Sequence, residues 1–368
     1  MAPITLERMS IAPIALDAGV PVGDLAATLV NISSPSGDEA NLANAIEALL
    51  RGCTHLEVIR EGNTVAARTS VGRPSRILWA GHIDTVPAHG NDVGAIRDGV
   101  LWGRGSVDMK SSVAIGLKLA VEMTNPSLDV TWIFYDNEEV ESARNGLGLF
   151  GAAHPDWVVG DVAIVGEPSN GVVEGGCNGT LRVEVSAKGT RAHSARSWMG
   201  ENAIHRASSI LERLVAYQPA TIQVDGLSYR EGVNAVGITG GVAGNVIPDL
   251  CTVTVNYRFS PDKSIDEAIA HLRELFHDYD VVVVDEAPGG RPGLNNSLVQ
   301  DFVRAVNAEV APKFGWTDVA RFGQWGTPAL NYGPGDPSLA HADDERVDIA
   351  DIEACYQGLK AWLSAHPS

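Results

Sequence analysis

Hydrophobic positions along this chain follow two different periodicities. Arg76–Ala80 (RILWA) is a short apolar run, Val130–Tyr135 (VTWIFY) is β-branched and aromatic, and Val162–Val165 (VAIV) is apolar throughout. Each is bounded by Gly, Asp or Asn, the signature of strands buried on both faces of a sheet. A second region alternates instead. Apolar and polar residues take turns from Leu181 to Ala187, after which Ala203, Ile204, Ala207, Ile210, Leu211, Leu214 and Val215 follow helical spacing. The pattern returns after Gly240-Gly241, where Cys251, Val253, Val255, Tyr257 and Phe259 alternate with Thr252, Thr254, Asn256 and Arg258. The helix that follows opens with Ser264 and Glu267, a capping box, ahead of Ala268, Ile269, Leu272 and Leu275. With strands over Val233–Thr239 and Val281–Val284, the order is β-α-β-β-α-β, a ferredoxin-like unit.

These patterns predict an α/β chain in which one domain is inserted into another. Residues 1–179 and 289–368 form a discontinuous catalytic domain, and 180–288 form the insert. Pro288-Gly289-Gly290-Arg291-Pro292 marks the return to the first domain. The chain has 368 residues and is 45% apolar, enough for a large core. No apolar run approaches the roughly 20 residues of a membrane span, and the opening MAPITLERMSIAPIALDAG lacks a basic segment followed by an apolar one. A cytoplasmic protein without a membrane partner is expected. Cys53, Cys177, Cys251 and Cys355 lack C-x-x-C spacing, which fits free thiols in a reducing compartment.

Chemistry concentrates where the apolar runs end. His82 and Asp84 follow the first run, Glu138 and Glu139 the second and Glu167 the third, while Asp108 and His341 lie in Gly-rich turns. Buried parallel strands deliver such residues to one carboxyl edge, where open α/β sheets build their sites. Imidazoles and carboxylates suit zinc and similar ions, and a metal pair needs a carboxylate able to reach both ions. Asp108 suits that bridge, with His82 and Glu167 on one ion and Glu139 and His341 on the other. Adjacent side chains diverge, so Glu138 can serve as general base to a bridging water while Glu139 binds metal. Asp84, two residues beyond His82, can accept the ring N–H that His82 does not use for metal. Taken singly, each residue is an ordinary surface or core feature; their joint placement after apolar runs is what points to a two-metal hydrolase. A phosphate loop around Gly103, Gly105 and Lys110 is excluded by the lack of G-x-x-x-x-G-K-[ST] spacing.

The motifs GHIDTVP, WGRGSVDMKSS, YDNEEV, GEPS and GPGDPSLAH together resemble metallopeptidase family M20, the two-zinc aminoacylases, carboxypeptidases and deacylases. The resemblance implies a two-zinc aminopeptidase-like catalytic domain carrying a ferredoxin-like lid through which the chain forms a homodimer. It also implies two Zn2+ per subunit, replaceable by Co2+ or Mn2+, held by His82, Asp108, Glu139, Glu167 and His341, with Asp84 and Glu138 catalytic. Within the family, VEGGCNGTLRVEVSAKGTRAHSARSWMGENAIHRA and NVIPDLCTVTVNYRFSP resemble the desuccinylases, and Glu at position 167 resembles the desuccinylase and acetylornithine deacetylase branch. Likeness to the desuccinylases implies hydrolysis of N-succinyl-LL-diaminopimelate. His193 would polarise the scissile carbonyl from across the dimer, with Asn245 in a related role, and the Asp108–Met109 peptide would be cis. Arg258, on the polar face of its strand, has the planar fork that suits a substrate carboxylate.

Two segments depart from the pattern. Gly176-Cys177-Asn178-Gly179 stands where many desuccinylases are Arg-rich, and Gly315-Trp316-Thr317-Asp318 replaces a Thr-Ser-Asp loop. Both would touch the substrate, so acyl specificity is where the rival readings lie: acetylornithine deacetylase, M20 carboxypeptidase or aminoacylase. A non-catalytic dimeric binding protein would have lost a ligand or Glu138, and neither is missing.

Charge sharpens the substrate question. With 27 basic and 46 acidic residues the chain carries −19, which excludes nucleic acid and anionic membrane as partners. A small anionic N-acyl amino acid must therefore be attracted locally. Two divalent ions bring +4 and Asp108, Glu139 and Glu167 return −3, leaving about +1 at the centre.

Overall fold

The computed structural model describes residues 14–365, so the first thirteen residues of the opening segment, on which the expected absence of a leader partly rests, lie outside the described residues. The chain divides into two compact units. One comprises Met1–Gly171, Ala305–Asn307 and Tyr332–Ser368, the other Val172–Arg304 and Ala308–Asn331.

In the first unit five strands pair in the order β1-β2-β4-β3-β5, where β1 is Glu57–Glu61, β2 Thr64–Arg68, β3 Arg76–His82, β4 Asp129–Tyr135 and β5 Val162–Val165. β3 runs parallel to both β4 and β5, and every residue of β4 and β5 is buried. Burial on both faces is why these strands read as unbroken apolar runs instead of alternating ones. The helix Lys110–Glu122 is buried from Lys110 through Ala120 and packs on β3, flanked by the helices Val22–Val30 and Ile349–Ser364. A smaller sheet joins Ala95–Arg97, Val100–Trp102 and Arg346–Asp348.

The end of the central helix is tied down by charge. The Glu122 carboxylate accepts hydrogen bonds from the Lys360 ammonium at 2.8 Å and the Tyr356 hydroxyl at 2.5 Å, and pairs with Lys118 at 3.0 Å. Burial raises its pKa, but these donors outweigh burial and hold it at about 2. A carboxylate with a depressed folded-state pKa stabilises the fold above its unfolded value, and that stability is lost as pH falls through the folded one. Glu122→Gln is therefore expected to destabilise by about 1–2 kcal/mol at neutral pH. The deficit should shrink below about pH 4.5 and close near 2. Urea unfolding of both proteins at pH 7 and pH 3 checks this; an equal deficit at the two pH values would remove the charge as its source.

The second unit contains the alternating strands. β6 (Gly179–Lys188), β7 (Gly232–Gly240), β8 (Leu250–Phe259) and β9 (Asp280–Ala287) pair antiparallel in the order β7-β8-β6-β9. Leu181, Val183, Val185, Val253, Val255 and Tyr257 point to one face, where they meet Ala207, Ile210 and Leu272 from the helices. The expected single helix after β6 divides at Ala207 into Ala203–Arg206 and Ser208–Ala216. The Ser264 capping box forms in full: the Ser264 hydroxyl accepts the Glu267 N–H at 3.3 Å, and the Glu267 carboxylate accepts the Ser264 N–H at 2.8 Å. Edge strand β7 is exposed from Asn234 through Gly240, leaving Val236 and Ile238 uncovered. Residues 172–179, 289–304 and 308–331, placed by sequence with the catalytic domain, cluster with this second unit. Among the described residues no helix is long and apolar enough to cross a membrane.

Candidate metal centre

β3 ends on His82, and the residues just after β4 and β5 supply Glu138, Glu139 and Glu167, so three parallel strands bring their ends to one edge. The turn from Gly105 to Asp108 leads into the helix starting at Lys110, and the Asp108–Met109 peptide is cis, as the family resemblance implied. Two glycines of the site motifs are required by packing beneath it. A Cβ on Gly81 would lie 2.7 Å from the Trp79 ring and 2.9 Å from the Met109 methyl, and one on Gly166 would lie 2.7 Å from that same methyl. The Met109 sulfur also accepts the His82 N–H at 3.4 Å.

Asp108 is the hub. One of its carboxylate oxygens lies 2.9 Å from His82 Nε2 and the other 3.3 Å from His341 Nε2, while His341 Nε2 also approaches Glu139 Oε1 at 2.8 Å. Ligand atoms of His82, Asp108 and Glu139 all fall within 4.8 Å of one another. His341 adopts a left-handed backbone, φ 64°, a conformation uncommon outside glycine. Glu167 is buried two residues past β5.

Protonation follows from this crowding. Asp108 and Glu139 push the pKa of His341 up to about 10. His82 is fully buried, which opposes charging, yet Asp108 and Asp84 hold its pKa well above the usual histidine value. Burial likewise opposes charge on Asp108, but His341 and His82 hold it below the ordinary carboxylate range. An ion bound here would displace the imidazole protons, and the donor set of histidine nitrogen and carboxylate oxygen is one that zinc takes.

Asp84 does more than sequence position suggested. The His82 Nδ1 lies 3.0 Å from the Asp84 backbone carbonyl and 3.5 Å from its carboxylate. That carboxylate accepts the backbone N–H of Glu138 at 3.0 Å, the N–H of Glu139 at 3.2 Å and the Ser36 hydroxyl at 2.7 Å. One buried carboxylate thus sets the main chain of the glutamate doublet. Ser36 itself carries no motif, and only its contact brings it into the site.

The remaining candidates belong to the second unit. His193 and Asn245 come together there: the pair Ala192–His193 runs antiparallel to Val246–Ile247, and the Ser194 N–H donates to the Asn245 carbonyl at 2.9 Å. Both side chains are exposed, and His193 Nδ1 accepts the Ala195 N–H at 3.1 Å. Arg258 sits half-buried on β8 opposite Thr180, its pKa drawn down by burial, and its guanidinium makes no hydrogen bond or ion pair among the described residues. Gly315 lies in an exposed turn.

Residues 78–365 match peptidase family M20/M25/M40. The chain belongs to this family. It is 49% identical over 343 residues to a Mycobacterium tuberculosis protein provisionally named succinyl-diaminopimelate desuccinylase DapE, covering 92% of this chain and 97% of that one. It is 46% identical over 347 residues to the succinyl-diaminopimelate desuccinylase of Corynebacterium glutamicum, covering 91% and 94%. Among solved structures it resembles the Bacillus subtilis YxeP protein, described as a dinuclear metal-binding peptidase of the M20 family. The TM-score is 0.67 at 16% identity, over 93% of this chain and 96% of that one. This M20 chain is an amide hydrolase by family, with a cluster fit for metal at its strand ends.

Proposed function

We propose that this M20 hydrolase removes the succinyl group from N-succinyl-LL-diaminopimelate, releasing succinate and LL-diaminopimelate. The observation that carries the catalytic part is Asp108, whose two oxygens face different histidines, the arrangement a bridging carboxylate needs. The substrate part rests on the names of relatives 46% and 49% identical over nearly the whole chain and on the guanidinium of Arg258, which has no hydrogen-bond or ion-pair partner among the described residues.

His82 and Glu167 would hold one ion, Glu139 and His341 the other, and Asp108 both; zinc fits these donors, with cobalt or manganese as substitutes. When bound, such ions would make a water acidic enough to lose a proton near neutral pH and would supply an electrophile for the scissile carbonyl. Glu138 would take a proton from the attacking water and pass it to the leaving amine. Asp84 keeps Glu138 in place through its backbone N–H. His193 donates to the developing oxyanion, a contribution of about 3–4 kcal/mol for such a donor, and Asn245 contributes to substrate binding beside it. Arg258 receives a substrate carboxylate, and the segment at Gly315 lines the substrate end. An assay of amine release over N-succinyl, N-acetyl and peptide substrates, with zinc added, tests the assignment directly.

The ferredoxin-like unit serves as lid and dimerisation domain. Its edge strand β7 exposes Val236 and Ile238, and Leu211 and Val215 are exposed on the helix Ser208–Ala216, an apolar surface that a second copy would cover. His193 would then act in the neighbour's site. Mixing His193→Ala subunits with Glu138→Gln subunits, each inactive alone, is expected to restore part of the activity; a fully active monomer by light scattering would defeat the dimer. A cytoplasmic location agrees with four unpaired cysteines.

A further inference from the structure

The turn carrying Asp108 is held from below by a buried carboxylate outside the ligand set. Glu345 is 1% exposed, and one of its oxygens accepts the backbone N–H of Val107 at 2.9 Å and of Asp108 itself at 3.1 Å. Its other oxygen accepts from the Arg104 guanidinium at 2.8 Å, and Arg104 is 5% exposed. The same residue reaches His341 through the main chain: the Glu345 N–H donates to the Ala342 carbonyl at 3.3 Å, and Asn91 donates to that carbonyl at the same distance. The Glu345 carbonyl accepts the Gly103 N–H at 3.0 Å, and Asn91 in turn accepts the Arg104 N–H at 2.7 Å. Glu345 therefore joins the turn that aims Asp108 to the turn that aims His341.

A carboxylate shared by two ions tolerates little rotation, because turning it to favour one ion withdraws its second oxygen from the other. Fixing the amide of Asp108 from a charged acceptor restricts that rotation, since charge-assisted hydrogen bonds are the short and strong ones. The acceptor is negative and sits beside a negative ligand, and Arg104 cancels the repulsion that would otherwise follow. We propose that Glu345, neutralised by Arg104, is a positioning residue for the two-metal centre, setting Asp108 and His341 in register for simultaneous ligation. This rests on the reading of Asp108 as the bridging ligand.

The alternative is a buried ion pair that only stabilises the fold, and metal affinity separates the two. Metal-free protein is titrated with Zn2+ against a chromophoric chelator, and the absorption of the Co2+-loaded form is recorded. Glu345→Gln is expected to weaken binding of at least one ion about tenfold to a hundredfold, the range for residues that orient metal ligands, and to alter the Co2+ spectrum. Glu345→Gln also strands Arg104 as a buried unpaired charge, which could unfold the chain. The double variant Arg104→Met/Glu345→Gln removes that charge and carries the test if the single variant does not fold. The proposal requires that the double variant recover the Tm of the metal-free protein but not the metal affinity. Wild-type affinity, within twofold, and an unchanged Co2+ spectrum in the double variant would overturn it. Fewer than two ions bound by the wild-type protein would instead sink the two-metal reading on which it rests.

Discussion

Glu138→Gln protein is expected to keep two ions per subunit and to turn over about 10²- to 10⁴-fold more slowly, the range for loss of a general base. Its neighbour should behave differently. Glu139 Oε1 lies 2.8 Å from His341 and within the ligand cluster, so Glu139→Gln should lower occupancy of one metal site. The division follows from the backbone. Asp84 accepts both amide N–H groups of the doublet, which fixes the main chain there and lets the two side chains diverge to separate tasks. Metal analysis beside kcat for the two variants decides it, and equal metal loss in both would merge the roles.

The second large effect concerns the acyl group. A succinyl amide presents a carboxylate that an acetyl amide lacks, and Arg258 is a half-buried guanidinium without a protein partner among the described residues. kcat/KM for N-succinyl-LL-diaminopimelate should exceed that for N-acetylornithine by at least about a hundredfold, roughly 2.7 kcal/mol of discrimination. Arg258→Ala should erase most of that preference, because a substrate carboxylate would then be desolvated without a charged donor. Comparable rates on both substrates, or faster cleavage of a dipeptide, would move the chain to another M20 branch while leaving the metal chemistry in place.

Much of the fold was legible along the chain because burial writes itself as periodicity. Unbroken runs such as VTWIFY and VAIV became fully buried parallel strands, and the alternation from Leu181 to Ala187 became a strand buried on one face only. Local chemistry was equally readable at Ser264 and Glu267, whose capping box needs no distant partner. The break at Ala207 was not, since the apolar positions keep helical spacing across it and give no sign of the division. Nor did sequence expose β7 as an uncovered edge, because edge or centre is settled by pairing.

At the centre, residue type and placement at strand ends or in Gly-rich turns were enough to single out His82, Asp108, Glu139 and His341 as candidates, and the structure brings these four together. Which atoms meet belongs to the tertiary structure. His341 lies more than two hundred residues from Glu139 along the chain, and only folding places its ring nitrogen between Glu139 and Asp108. The same holds for the supports. Asp84 turned out to hold the backbone of the doublet, Ser36 to hold Asp84, and Glu345 to hold the amide of Asp108. A ligand announces itself by its chemistry, whereas a positioning residue acts through main-chain groups that every residue possesses, and its role exists only once the fold has brought it there.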